Sequence, residues 1–177
     1  MDALVHLSRM PALTQLEFAL SAILLAADSP LSFSNLHKMR LQSKSLHPIS
    51  HLLSLIRLPT ITDFTARIDD CPSRRELVSL FAGVQTSNTS GTIKHLALNQ
   101  SSSLRISVFH SEPLLLCFED LLPCMTLGNL SCLTLDIGWN VGLTETNLLQ
   151  LASAWSHLEM LFINESFGWN TLSGITP

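Results

Sequence analysis

The stretch LSCLTLDIGWNVGLTETNLLQLASAWSHLEMLFI, Leu130 to Ile163, decides the fold. Leu130, Leu133 and Leu135 occupy positions 1, 4 and 6 of an L-x-x-L-x-L phrase, and Leu158, Leu161 and Ile163 repeat it 28 residues later. Side chains alternate along a strand, so Leu133 and Leu135 share one face while Cys132, Thr134 and Asp136 share the other. Between the phrases, Thr144 can cap a helix and Glu145 suits the positive end of its dipole. Leu148, Leu151 and Trp155 then fall on one stripe at i, i+3 and i+7. That stripe has to cover the leucine face, which predicts that Leu133 and Leu161 are both buried beneath helices. One strand and one helix cannot bury their own apolar surface, so the pattern demands neighbours of the same kind.

Four more phrases supply them: Leu13/Leu16/Phe18; Leu36/Met39/Leu41, with Leu46 as a later apolar position; Ile61/Phe64/Ala66, in which alanine replaces a large residue; and Ile93/Leu96/Leu98. The fourth-position residues Leu16, Met39, Phe64, Leu96, Leu133 and Leu161 are separated by 23, 25, 32, 37 and 28 residues. A period near 20 to 29 is the mark of a leucine-rich repeat, and two of the gaps exceed it. The expected fold is therefore an α/β leucine-rich-repeat solenoid forming one domain over residues 1–177. It should have about six short parallel strands in a curved sheet, helices on the convex side and irregular repeats.

Helix signals lie between the strands. Met1–Met10 reads as a short helix capped by Asp2 and ended by Pro11; Pro48–Ile56 reads as a helix with Pro48 in an initiating position. Ser73-x-x-Glu76 is a capping box ahead of the stripe Leu77, Leu80, Phe81 and Val84, and Thr86–Gly91 reads as a polar loop. Phe118, Leu121 and Leu122 before Pro123 suggest a short helical turn, and LRISVFH (104–110) suggests an extra strand on the convex side. Three positions beyond each L-x-L, where the repeat normally carries asparagine or cysteine, stand Ser21, Lys44, Asp69, Ser101, Gly138 and Ser166. The sequence thus offers no regular side-chain ladder for the backbone groups at that bend. Gly138-Trp139-Asn140 recurs as Gly168-Trp169-Asn170, and Gly142-Leu143-Thr144 is echoed by Gly174-Ile175-Thr176. The first threonine opens a helix, whereas the second stands one residue from Pro177. This reads as a solenoid truncated in mid-repeat, its C-terminal repeat incomplete.

Composition narrows the function. The chain is 46% hydrophobic and 14% charged, which excludes a disordered polar chain and supports a sizeable core. Ten basic against fourteen acidic residues give a formal charge of −4. No basic run exceeds two residues, so no nucleic acid is expected as a partner. The apolar run Phe18–Ala27 is too short for a bilayer span and has polar residues where a signal peptide would still be apolar, so no membrane is expected either. Four cysteines without zinc spacing read as small apolar fillers in a reducing compartment, cytoplasmic or nuclear. Glycosylation tripeptides at Asn88, Asn99, Asn129 and Asn164 read as chance in a Ser/Thr-rich chain.

Two phrases, NLSCLTLDIGWNVGLTETNLLQLASAWSHLEMLFIN and FSNLHKMRLQSKSLHPISHLL, carry a resemblance. They look like the leucine-rich-repeat portion of fungal F-box-like proteins, and the likeness covers nearly the whole chain. The resemblance implies target recognition for a ubiquitin ligase, coupled through an N-terminal F-box that docks a Skp1-type adaptor. The F-box pattern itself, a proline-led run of leucines and acidic residues, is not found upstream of Leu13. The resemblance therefore implies the fold and protein binding, with adaptor docking tied to an F-box lying further upstream.

No enzyme signature is present: G-x-S-x-G, H-E-x-x-H, a P-loop and a dinucleotide fingerprint are all missing. His47 and His51, at i and i+4, lack a third ligand nearby, so they read as solvated or capping groups and no cofactor or metal is expected. Glu119-Asp120 reads as helix first-turn charge, since adjacent residues on a helix face apart. Trp139, Trp155 and Trp169 read as packing residues. What remains is a noncatalytic protein-interaction scaffold; the alternative is a fragment of a larger repeat protein without independent activity. The strand register assigns Lys38, Arg40, Arg67, His95, Thr134, Asp136, Met160, Phe162 and Asn164 to the open, partner-binding face. Gln15, Glu17, Gln42, Asp63, Thr65, Asn99 and Cys132 join them. Met160 and Phe162 are large apolar groups on a face that should be wet: either anchors for a partner, or residues covered by the loop carrying Trp169.

Overall fold

The six expected strands pair as one parallel sheet. In the computed structural model, which describes residues 2–21, 30–101 and 114–169, they are β1 (Gln15–Leu20), β3 (Lys38–Ser43), β5 (Asp63–Ile68), β6 (His95–Gln100), β8 (Cys132–Asp136) and β10 (Met160–Ile163). Their spatial order equals their chain order. Four two-residue strands lie between them: β2 (Leu31–Ser32) pairs in parallel with β4 (Ile56–Arg57), and β7 (Leu115–Leu116) with β9 (Asn140–Val141).

Leu16, Met39, Phe64, Leu96, Leu133 and Leu161 are direct register partners in one row across the sheet. Phe18, Leu41, Ala66, Leu98, Leu135 and Ile163 form the next. The strands are held by the same bonds where each begins. His37 and Lys38 both donate their amides to the carbonyl of Thr14, at 2.9 and 3.1 Å. Thr62 and Asp63 do the same to His37, Lys94 and His95 to Thr62, Ser131 and Cys132 to Lys94, and Glu159 and Met160 to Ser131. Hydroxyls reinforce the pattern: Thr62 Oγ1 donates to His37 O at 3.0 Å, Thr92 Oγ1 to Ile61 O at 2.7 Å and Ser131 Oγ to Lys94 O at 3.2 Å. Loop backbone at these positions is thereby satisfied without a helix or a longer strand.

Helices flank the sheet: α1 (Asp2–Ser8), α2 (Leu46–Leu55), α3 (Arg74–Ser87), α4 (Phe118–Leu121), which runs into a 3-10 turn (Leu122–Thr126), and α5 (Glu145–Ala154). Their apolar stripes and the leucine rows of the sheet form one continuous core. The Ser73/Glu76 capping box is present, with Ser73 N–H on Glu76 Oε2 at 2.9 Å, and so is the Thr144 cap, which accepts Asn147 N–H at 3.2 Å. Gly83 permits the close approach of α3 to α2, because a Cβ there would stand 3.1 Å from Leu53 Cβ.

Several boundaries differ from the sequence expectation. The first helix contains Asp2 as its first residue rather than being capped by it. The second begins at Leu46, two residues before Pro48. Proline is tolerated there because first-turn amides have no intrahelical acceptor. Thr86 and Ser87 continue α3 instead of starting a loop, since their hydroxyls donate back to Ala82 O at 2.7 Å and Val84 O at 3.1 Å. The stretches 22–29 and 104–110, the latter expected as an extra strand, lie outside the described residues, as do the second Gly-Ile-Thr echo and the end of the chain.

A larger difference concerns Leu161, which is 36% exposed whereas Leu133 is fully buried. After β10 the described chain makes a bend over residues 164–169, and no helix among the described residues lies over Leu161. Sequence position within the phrase is the same; the covering layer is not.

Elsewhere a charged clamp ties the start of α3 to the segment Leu115–Asp120. Arg74 Nε lies 3.1 Å from Asp120 Oδ1, and Arg74 Nη2 donates to Leu115 O at 2.8 Å. Asp120, buried, also accepts Cys117 N–H at 2.9 Å. The Glu119-Asp120 pair is thus divided between an exposed side chain and a buried structural one.

Candidate partner-binding face

The sheet face opposite the leucine rows carries three rows of its own. The first is Gln15, Lys38, Asp63, His95, Cys132 and Met160; the second is Glu17, Arg40, Thr65, Ala97, Thr134 and Phe162. The third is Ala19, Gln42, Arg67, Asn99 and Asp136. Each of these residues is half-buried or exposed. Alternation along a strand forces this outcome once the leucines face the core, so the sequence register carries over directly.

Eight of the nine residues assigned to this face are on it. The ninth, Asn164, is not: it is 1% exposed and sits directly after β10 with φ 54°. Its Oδ1 accepts Ile137 N–H at 3.1 Å and its Nδ2 donates to the carbonyl of Trp139. Asparagine tolerates the left-handed region, and leaving the strand in that conformation turns its side chain into the bend. An asparagine therefore does serve the backbone groups there, from a position two residues earlier than the repeat pattern predicts. Gln100 Oε1, accepting Gly138 N–H at 2.8 Å, and Asp136 Oδ1, accepting Ser166 N–H at 3.0 Å, complete this support. Asn164→Ala is expected to cost about 1 to 3 kcal/mol, because two buried backbone groups lose their partners. Chemical denaturation of the variant checks it, and Asn164→Gly, which relieves only the strain of the left-handed φ, should not restore the lost hydrogen bonds.

Two of the tripeptides considered for glycosylation are closed by the same burial, since Asn88 and Asn164 are both in the interior. All four cysteines are free thiols; Cys124 is in the core, where burial pushes its pKa well up, and Cys132 lies on the open face.

Charges on the face are largely paired within it. Arg40 Nη1 stands 3.5 Å from Glu17 Oε2 on the neighbouring strand. His95 Nδ1 is 2.7 Å from Asp63 Oδ1, and Thr62 Oγ1 donates to Asp63 Oδ2 at 2.7 Å. Partial burial alone would raise the pKa of Asp63. The hydrogen bonds from His95 and Thr62, with the charges of His95 and Lys38, outweigh it and hold the carboxyl below its ordinary value. A lowered carboxyl pKa contributes stability that is present above the ordinary carboxylate range and is lost as pH falls through the lowered value. Wild type should therefore exceed Asp63→Asn in urea midpoint at pH 7 by the equivalent of about 1 kcal/mol or less, given the solvent screening of this pair. The gap should begin to narrow near about pH 4, the ordinary aspartate pKa, and close as pH falls through the lowered value.

The far end of the face is apolar. Met160 is 44% and Phe162 39% exposed. Trp169 Nε1 donates to Ile163 O at 2.7 Å, and Met160 and Phe162 stay exposed beside it. Of the other tryptophans, Trp139 and Trp155 are buried, donating to Pro72 O at 2.9 Å and Cys124 O at 3.0 Å.

A second apolar surface escaped the sequence reading. Phe118, Leu122, Met125, Leu149 and Ala154 line a groove of about 650 Å³ between the 3-10 turn and α5. Leu149 stands off the Leu148/Leu151/Trp155 stripe, and an apolar residue outside the stripe is the signal that could have found it. Among the described residues no group of three His, Cys, Asp or Glu side chains could hold a metal ion, and no helix is long and apolar enough to cross a membrane. Comparison with protein-family models, with curated proteins and with solved structures finds no match for this chain.

Proposed function

We propose that this chain is a leucine-rich-repeat solenoid acting as a noncatalytic protein-interaction scaffold, in the cytoplasm or nucleus, whose open sheet face receives a protein target. The observation that carries the reading is the open face itself: three rows of accessible, mixed side chains across six parallel strands, ending in exposed Met160 and Phe162. Recurrent bonding at the strand starts and chain-order strand pairing support a solenoid. Balanced charge on the face, Glu17, Asp63 and Asp136 against Lys38, Arg40 and Arg67, favours a protein surface over a polyanion. The resemblance to F-box-like proteins extends the proposal to target recognition for a ubiquitin ligase, with a Skp1-type adaptor engaged through an F-box upstream.

The test is site-specific photo-crosslinking in native extract. A crosslinker at Thr134, on the open face, should give one reproducible protein adduct; the same group at Val78, exposed on α3, should not. Equal or exclusive capture at Val78 counts against the reading. With that partner in hand, Phe162→Ala should weaken binding by more than about 1 kcal/mol while leaving the fold intact. Lys38→Ala should act mainly on the association rate and its salt dependence.

A further inference from the structure

Accounting for each charge on the open face leaves two cations without an ion pair among the described residues, Lys38 and Arg67. Glu17 is paired with Arg40, Asp63 with His95, and Asp136 is held by Ser166 N–H. Lys38 lies in the field of Asp63. Arg67, exposed in the middle of the sheet, has no ion pair and no side-chain hydrogen bond among the described residues. Its register neighbours are Gln42 and Asn99, both able to donate hydrogen bonds, so the cation stands between two amides. Formal neutrality thus conceals a site whose unspent capacity is to donate to an anion.

The second feature is distance. Arg67 on β5 and Phe162 on β10 are separated by β6 and β8, three strand steps, and differ by one row along the strands. At a strand spacing of about 4.8 Å and a rise of about 3.3 Å per residue, their Cα atoms stand roughly 16 Å apart. Between them lie the short side chains of Ala97 and Thr134, which leave the path open to a bound backbone.

Resting on the interaction reading above, we infer that the target presents a segment with an acidic side chain for Arg67 and a large apolar side chain for Met160 and Phe162, four to five positions apart in an extended chain. The carboxylate takes the guanidinium with the flanking amides as further donors, and the apolar group desolvates the exposed methionine and phenylalanine. At this position acidic partners are favoured over basic ones because Arg67 has no ion pair, whereas Glu17 and Asp63 face Arg40 and His95 and Asp136 accepts Ser166 N–H. An extended segment of four to five residues spans roughly the required 13 to 17 Å.

Selection from a random library of linear twelve-residue displayed peptides on the full chain reads this specificity directly. Recovered sequences should carry Asp or Glu four to five positions from Phe, Leu, Ile, Met or Trp, enriched about threefold over the library, the size expected of an exposed charge pair. Arg67→Gln should remove the acidic preference and keep the apolar one, and Arg67→Glu should replace it by Lys or Arg. Melting temperatures of both variants near wild type confirm that the fold is retained. Failure to recover any sequence, or recovery without acidic preference, overturns the inference. An acidic preference unchanged in Arg67→Glu overturns it too. Peptides that depend on Phe162 but not on Arg67 sink this inference alone, whereas peptides indifferent to both, and displaced from the groove beside α5, would remove the open face as the binding surface.

Discussion

Leu133→Ala is expected to destabilise the protein by about 2 to 5 kcal/mol, whereas Thr134→Ala, one residue on, should change stability by less than about 0.5 kcal/mol. Leu133 is fully buried in the central row, between Leu96 and Leu161, and joins the core beneath the helices. Removing its isobutyl group forfeits transfer energy and leaves a cavity that a sheet pinned on both sides cannot collapse. Thr134 points the other way and loses only a solvated hydroxyl and methyl. Denaturant midpoints of the two variants measure the register, and equal losses would mean that the faces are misassigned. Leu161→Ala should fall well below Leu133→Ala, because its side chain is already partly in water.

The second large effect separates the two copies of the Gly-Trp-Asn phrase. Trp139→Ala should cost about 3 to 5 kcal/mol, while Trp169→Ala should cost about 1 kcal/mol or less. Trp139 is 1% exposed, and its indole donates to Pro72 O, tying the loop before α3 to the bend after β8. Trp169 is 37% exposed and makes its one bond to the carbonyl of the edge strand. Thermal denaturation distinguishes them, and similar shifts would show that the edge indole is structural to the same degree.

These contrasts also mark how far the sequence could be read. Period-two alternation of large apolar residues is strong over four to six positions, which is why the row Leu16 to Leu161 and its open-face counterparts were legible from residue type alone. The two-residue ladders Leu31–Ser32 with Ile56–Arg57 and Leu115–Leu116 with Asn140–Val141 are too short to show any period. Helix limits at Leu46 and Ser87 depend on first-turn tolerance of Pro48 and on hydroxyls bonding backward, which hydrophobic pattern does not register. Asn164 was assigned by extending the alternation one residue past the strand, and a left-handed φ ends the alternation there. Burial of Leu161 depended on a covering helix, and the repeat phrase encodes the strand without encoding its cover. On the open face, residue identities and positions were legible, but the pairing that leaves Arg67 over required side-chain geometry.

Among the described residues, the open face and the groove beside α5 both carry exposed apolar side chains that hydroxyl radicals oxidise readily. Footprinting of the chain alone and with the crosslinked partner therefore tests the central claim most directly. Met160 and Phe162 should be oxidised in the free protein and protected in the complex, with Leu122, Met125 and Leu149 unchanged. Protection of Leu122, Met125 and Leu149, with Met160 and Phe162 still reactive, would place the partner on the helical side and contradict the account.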